Sequence, residues 1–457
     1  MTLKNNIKRI VNDYLKMDVI RKNPIEVEIN KYTRIKDPYL RHKFALKLQE
    51  KYPDDHRSYL ILLNIEHYLG DKNQFETFET FRDVRNKFLK NNNLDLLNID
   101  FLPRNTISGA FGNFYTLETL LNARKANIID NRKFLILNDI NENITNNNLL
   151  NYFESEIILI NDVNIYKALQ ILELPIGVCQ SYRDYSLYLD LAANLIEKEA
   201  NEKNFSLKVS SKDLEVGSKY LKKCGLKKDD WFVTLHVREN SITDSKIYDE
   251  GFRNSNPNNY MSAVKHIIKN GGFVFRMGDN NSTKLESGLT GFIDYAHSED
   301  KTPQLDVFLG AKSKFCIGTS SGYFRVPRYF DVPVLLTNQP QTIEYFSLKR
   351  KDMFLPKKIL KKSENKEIKF IESFKFPYSF FSSLYRFNKD KYKTTQNTDE
   401  EIYLCTRKMV DHVFSFKNKN NFPKYLDNNI SGKDLTYGKY KAVPFAEIPD
   451  DIIDRFG

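Results

Sequence analysis

Apolar residues recur three and four apart through KFALKLQEKY (43–52), SYLILLNIEHYLG (58–70) and QFETFETFRDVRNKFL (74–89), the spacing that lines one face of an α-helix. Strand-like runs are few in this part, so residues 1–92 are expected to form a helical N-terminal module, a scaffold or interaction surface. From about residue 96 the pattern changes. LLNIDFL, KFLILND and SEIILIND are short apolar runs, and the helical stretch YTLETLLNARKAN separates the first from the second. Such alternation encodes a parallel sheet with crossover helices.

A second alternation follows. WFVTLHVRE (231–239), FVFRMGD (273–279), GFIDYA (291–296), KFCIGTSSG (314–322) and PVLLTN (333–338) predict strands. NPNNYMSAVKHIIKNGG predicts a helix with Asn256 as N-cap, Pro257 in its first turn and Gly271 and Gly272 ending it, and PQLDVFLGAK a helix that Asp306 would open and cap. SYRDYSLYLDLAANLIEKEAN from Ser181 reads as a long amphipathic helix, and the polar NEKNFSLKVSSKD after it as the interdomain connection. The expected plan is α/β: a first Rossmann-like domain over 93–205, a second over 206–345, and a Lys- and aromatic-rich closing segment over 346–457 that contains FKFPYSFFSSLYRF and the helix DEEIYLCTRKMVDHVF.

Composition narrows the function classes. With 457 residues, 41% hydrophobic and 28% charged, the chain is a folded protein of more than one unit. A formal charge of +11 invites a polyanion partner, but acidic residues are interspersed almost everywhere, and the densest basic run, KKILKKSENK, reads as a solvated helix face, so no nucleic acid is expected. Cys179, Cys224, Cys316 and Cys405 have neither CxxC nor Cys/His spacing, which argues for no disulfide framework, no zinc site and a cytoplasmic location. No run of 18 apolar residues occurs. Ile7, Ile10, Val11, Tyr14 and Leu15 share a helical face with basic neighbours that could rest on a membrane surface or pack as ordinary core.

Candidate chemistry gathers at predicted strand ends, where ligands of parallel sheets bind. Arg238 and Glu239 close one strand, Arg276, Gly278 and Asp279 the next, Gly318, Thr319, Ser320, Ser321 and Gly322 a third, and Asn338 a fourth. Small residues in the GTSSG turn let backbone amides approach an anion, the hydroxyls add donors, and a following helix would present its positive end. Arg238 and Arg276 supply planar forks for diphosphate oxygens, or form salt bridges with Glu239 or Asp279. Glu239 first and Asp279 second are candidates for a base that deprotonates an acceptor, or else orient an arginine. His236 reads as a satisfied strand histidine. Gly109, Gly112 and Asn113 form a loop that could admit an acceptor, close over a donor or simply turn.

HVRE (236–239), FRNSNPNNYMSAVKHIIKNGGFVFRMGD (252–279), IDYAHSE (293–299) and LDVFLGAKSKFCIGTSSG (305–322), with ISGAFGNFYTLETLLNARKA upstream, resemble a family of bacterial surface-polysaccharide glycosyltransferases. The resemblance spans about residues 100–345. More distantly, HVRE and IGTSSG are similar to strand ends of GT-B fucosyltransferases. The resemblance implies a GT-B-like fold, two Rossmann-like domains facing a cleft, and transfer of a sugar from a nucleotide-sugar donor to a glycan or lipid-linked glycan acceptor. It implies that Arg238 grips the donor diphosphate with Ser320 and Ser321 in the same pocket. The donor is a substrate, and no other cofactor is expected. The fucosyltransferase pattern usually reads HVRR, whereas Glu239 follows Arg238 here, so a GDP-sugar is favoured without GDP-fucose carrying over. The family's loop often reads Gly-His, where this chain has Gly112-Asn113. The lack of any Asp-x-Asp triplet agrees with a metal-independent transferase. Two other readings stay open: an epimerase or hydrolase of nucleotide-sugars on the same fold, and a non-catalytic glycan- or polyanion-binding protein.

Overall fold

The computed structural model describes residues 24–91, 93–102, 106–137, 144–161, 189, 206–239, 251–285, 288–375, 378–380, 387–388, 390–415, 422–437, 439–442 and 445–456. The basic amphipathic face near residue 10, Cys179 and almost all of the expected helix from Ser181 lie outside them.

Helices α1 (Pro24–Arg34), α2 (Pro38–Lys51), α3 (His56–Leu69) and α4 (Gln74–Asn91) occupy the N-terminal stretch. Sequence sets their ends: Asp37 and Asp55 cap α2 and α3 by accepting backbone N–H groups, and Gly70, left-handed at φ 67°, stops α3. Their apolar stripes divide between two cores. Ile25, Tyr32, Ala45, Leu48, Ile61, Leu62 and Ile65 form a small cluster, whereas Tyr59, Leu63, Phe75, Phe78 and Phe81 join the main core of the molecule.

The first sheet contains β1 (Ile99–Leu102), β2 (Lys133–Leu137) and β3 (Ile157–Ile160), parallel and in that spatial order, with α5 (Tyr115–Lys125) between β1 and β2 and α6 (Asn147–Asn151) before β3. The second sheet has six parallel strands: β4 (Trp231–His236), β5 (Gly272–Met277), β6 (Phe292–Ile293), β7 (Phe315–Gly318), β8 (Val334–Gln339) and β9 (Met353–Pro356). Their spatial order is β6-β5-β4-β7-β8-β9. This is the doubly wound order 3-2-1-4-5-6: the chain builds outward from β4 on one side, returns to the centre and builds outward from β7 on the other.

Helices α7 (Ser211–Lys223), α8 (Met261–Lys269), α9 (Pro303–Lys312) and α10 (Arg325–Tyr329) connect or precede these strands, and α11 (Asp399–Phe414), fixed by a Thr398–Glu401 capping box, packs on α8. Asn256 caps a short 3₁₀ turn, Pro257–Tyr260, that runs into α8, and Gly271 at φ 83° follows the helix. Thr302, not Asp306, caps α9: its hydroxyl accepts the Leu305 amide, and Asp306 sits within the first turn. The sheet continues beyond residue 345, because the buried run Met353–Pro356 pairs with β8 as an edge strand, and past its terminal proline the Lys357 amide still donates to the Gln339 carbonyl of β8 at 2.9 Å. The basic run expected as a helix face is instead β10 (Lys358–Lys361) and β11 (Lys366–Glu367), which form a small antiparallel sheet with β12 (Tyr392–Thr395).

The two parallel sheets share one continuous hydrophobic cluster. Phe111 meets Tyr323 edge-on at 5.9 Å, Tyr152 meets Phe330 at 5.0 Å, and Phe153 meets Tyr329 at 5.9 Å. Asp213 on α7 is a polar hub there, accepting from Asn148 at 3.2 Å, from Gln304 at 2.6 Å and from the Tyr152 hydroxyl. Burial opposes its charge, but the hydrogen bonds from Tyr152, Gln304 and Asn148 prevail and hold its pKa below the usual carboxylate range. The closest approach joins two backbones: a Cβ on Gly322 would lie 2.2 Å from the Gly112 nitrogen. Gly322→Ala is therefore expected to cost about 1–3 kcal/mol by overpacking. Gly432→Ala, where a Cβ would meet nothing within 4 Å, should stay within about 0.5 kcal/mol of the parent in urea denaturation.

Candidate functional site

β4 and β7 are neighbours from which the chain leaves toward opposite edges of the sheet, which makes their carboxyl ends the switch point where ligands of doubly wound sheets bind. Arg238 follows β4, and the GTSSG turn begins on β7. A hydrogen bond joins them: the Arg238 amide donates to Thr319 Oγ1 at 2.8 Å. Thr319 is fully buried and Ser320 nearly so. The turn 251–253 then brings in a residue that strand-end reasoning missed. Arg253 donates from Nε to Ser320 Oγ at 3.0 Å and from Nη2 to the Ser320 carbonyl at 2.9 Å, a two-point grip on the bend. Arg238 Nε donates to Asn254 Oδ1 at 3.2 Å.

Lys357 completes this arrangement from the end of β9. Its ammonium donates to the carbonyls of Phe252 at 2.9 Å and Asn254 at 2.5 Å, the residues on either side of Arg253. Burial first, and the charge of Arg238 second, pull its pKa from 10.5 down to about 7. Arg253 lies within the quoted FRNSN run and Lys357 in the basic run, but nothing in either pattern marks them as neighbours of Ser320. Beside Lys357 opens a cleft of about 170 Å³ lined by Ile359, Ile368, Lys369 and Phe370.

The other expected residues divide clearly. Arg276, fully buried, donates to Glu239 at 2.5 Å and to Asp294 at 3.2 Å. The second Glu239 oxygen accepts the Thr283 amide at 3.0 Å. Arg276 and Glu239 thus take the salt-bridge alternative, and both are committed inside the protein. Gly278 gives its carbonyl to Lys301 at 2.6 Å, while Asp279 is exposed, its Oδ1 accepting the Asn281 amide at 2.9 Å. Asn338 does not face a ligand. It is fully buried in left-handed conformation at φ 51° and exchanges amide hydrogen bonds with Asn397 at 2.6 and 2.7 Å.

Within the turn, Ser321 Oγ lies 3.0 Å from His236 Nδ1, and the His236 ring stacks on Tyr323. Desolvation, then the charges of Arg276 and Lys301, lower the His236 pKa to about 4, so the ring is neutral at pH 7. Gly318 has no room for a side chain, since a Cβ would meet Phe324 at 2.7 Å. Gly322 is covered by Gly112, and the helix that follows has only five residues. So short a helix adds little of the expected positive end, and in the bend Ser321 and Gly322 keep partial exposure while Ser320 is buried and held by Arg253. Asn113 closes its own turn by donating to the Ser108 carbonyl at 2.6 Å, and Gly109 takes φ 86° there. Gly112 and the bend do come together, as packed backbones rather than as lips of an open cleft. Among the described residues no cluster of His, Cys, Asp and Glu could hold a metal ion, and no helix is long and apolar enough to cross a membrane.

No family model matches the chain, and comparison with the curated proteins finds no match either. Solved structures do show likeness. ADP-heptose LPS heptosyltransferase II of E. coli aligns at TM-score 0.36 and 13% identity over 56% of this chain and 90% of its own. A glycosyl transferase family 9 protein from Veillonella parvula DSM 2008 aligns at 0.37 and 10% identity over 68% of this chain and 97% of its own. E. coli heptosyltransferase WaaC with ADP aligns at 0.33 and 10% over 56% and 93%. These likenesses are too distant to assign the site, which rests on the residues above.

Replacing Arg276 by Met should cost about 3 kcal/mol, because Glu239 and Asp294 would lose the cation that offsets their desolvation. Equilibrium urea denaturation measures it; a loss below about 1 kcal/mol would show that the arginine does not hold the two loops together.

Proposed function

We propose that the chain is a glycosyltransferase that binds the diphosphate of a nucleotide-sugar where β4 and β7 end and transfers its sugar to a glycan acceptor. The observation that carries this reading is the gathering of Arg238, Arg253 and Ser320 at the switch point of a doubly wound sheet. Two guanidiniums fixed by the protein before any ligand arrives suit the charge that grows on a departing diphosphate as the glycosidic bond breaks. Groups already oriented need no reorganisation at the moment of reaction. Thr319 and Asn254 act through Arg238: one fixes its main chain, the other its side chain.

If transfer inverts the anomeric centre, a base must take the acceptor proton. Glu239 has both oxygens engaged, so we assign that role to Asp279, whose exposed carboxylate stands at the end of β5. The distant similarity of the HVRE and IGTSSG segments to fucosyltransferases favours a GDP-sugar and leaves the sugar open, and a place in surface-polysaccharide synthesis follows from the wider resemblance over about residues 100–345.

A thermal-shift panel of GDP-, UDP-, ADP-, CDP- and CMP-sugars tests the reading, because a ligand bound only by the folded state raises the melting temperature. One nucleotide class should stabilise the parent and fail to stabilise Arg253→Ala, and the variant's kcat/KM with that donor should fall about 100-fold. The absence of any shift across the panel would refute the assignment, and product analysis would separate transfer from hydrolysis or epimerisation.

A further inference from the structure

We propose that Lys357 is the positioning residue of the anion site, holding the turn that carries Arg253 and Asn254, and that a diphosphate binding there brings a proton to this side chain. The inference rests on the anion-binding reading above and concerns how that same site is governed. Its basis is geometric. Lys357 is 3% exposed, and its main-chain amide is tied to the Gln339 carbonyl at 2.9 Å, so its stem is anchored to β8 and β9. From there the nitrogen reaches the carbonyls of Phe252 and Asn254. Arg253 lies between those two residues and grips Ser320, and the Asn254 side chain takes the Arg238 guanidinium. A single buried amine thus sets both arginines.

The charged groups around it are mostly of its own sign. Arg238 comes from the end of β4 and Arg253 from the turn it holds, while Lys358, Lys369 and the exposed Glu367 belong to the adjoining cleft, with Lys358 paired to Glu401 at 3.5 Å. No carboxylate lies within ion-pairing distance of Lys357 among the described residues. Burial and the Arg238 charge bring its pKa to about 7, so at pH 8 the free protein holds it mainly as the neutral amine. A neutral amine keeps two N–H bonds, enough for both carbonyls, so losing the proton leaves the turn in place and removes only the charge. The adjoining cleft gives solvent protons access to the nitrogen. An arriving diphosphate reverses the local field that disfavours the ammonium and thereby raises the Lys357 pKa. Binding then takes up a proton when the pH is above about 7 and takes up none when it is well below, where the ammonium is already present.

The test uses the full chain and P1,P2-dimethyl diphosphate, a base-free diphosphate diester with two fixed negative charges. Isothermal titration in Hepes and Tris, whose ionisation enthalpies differ, reads protons taken up per ligand bound. The parent should take up most of one proton at pH 8 and almost none at pH 6, with affinity falling about 20-fold between pH 6.5 and 8.5. Lys357→Arg, charged throughout, should bind with neither proton uptake nor that pH dependence. Lys357→Gln should bind at least 10-fold more weakly at both pH values. Binding without proton uptake in the parent, or Lys357→Gln binding like the parent, overturns the proposal and leaves the anion site standing. No binding by the parent at either pH overturns the site and the proposal together. The parent's proton count needs no variant to fold.

Discussion

The parallel pairing of β4 with β7 is the constraint on which the rest depends. In register from Val233 to Leu235 against Phe315 to Ile317, these strands are the hinge of the winding order, and the chain departs from them toward opposite edges. Backbone hydrogen bonding ends with the strands, and the Arg238 amide would be left without a partner just beyond. The Thr319 hydroxyl supplies one, so the two strand ends stay together one step past the sheet. Ser320, Arg253, Asn254 and Lys357 then follow from that joint through hydrogen bonds, each holding the next.

Two kinds of buried cation serve different ends here. Arg276 has two carboxylates within reach, and together they form a closed ionic unit that ties the end of β4 to the loop after β5 and to Asp294. Burying such a unit is tolerable because each charge has its counterpart. Lys357 is buried against carbonyl oxygens and beside another cation, and its proton is held loosely as a result. The same physical cost, removal of a charge from water, yields a fixed brace in one case and a titratable group in the other.

The strands of both sheets other than β9 were legible from apolar runs, because a strand covered on both faces must be apolar along its length. Helix ends were legible where a single residue decides them, as at Asn256 and Gly271. Less legible were elements whose identity depends on a distant partner. Met353–Pro356 is four residues long and becomes a strand only because β8 offers an open edge, and the run around Lys358 pairs with Tyr392–Thr395 some thirty residues later. Within the site, Arg238 and the small-residue turn could be read from their places after strands. Arg253 and Lys357 could not, since their spacing to Ser320 in the chain, 67 residues for Arg253, carries no periodic signal.

By itself the sequence determined the alternation of strands and helices, the Asn256 cap though not that of α9, and which strand ends carry polar groups, all properties of residues a few positions apart. Tertiary structure alone decided that Arg276 would meet Glu239 and Asp294 rather than a ligand, that Gly322 would rest on Gly112, and that Lys357 would lie beneath Arg253. The reason is physical: a side chain's role depends on which charges and dipoles surround it once water is removed, and that environment is set by strand order, which no local pattern encodes.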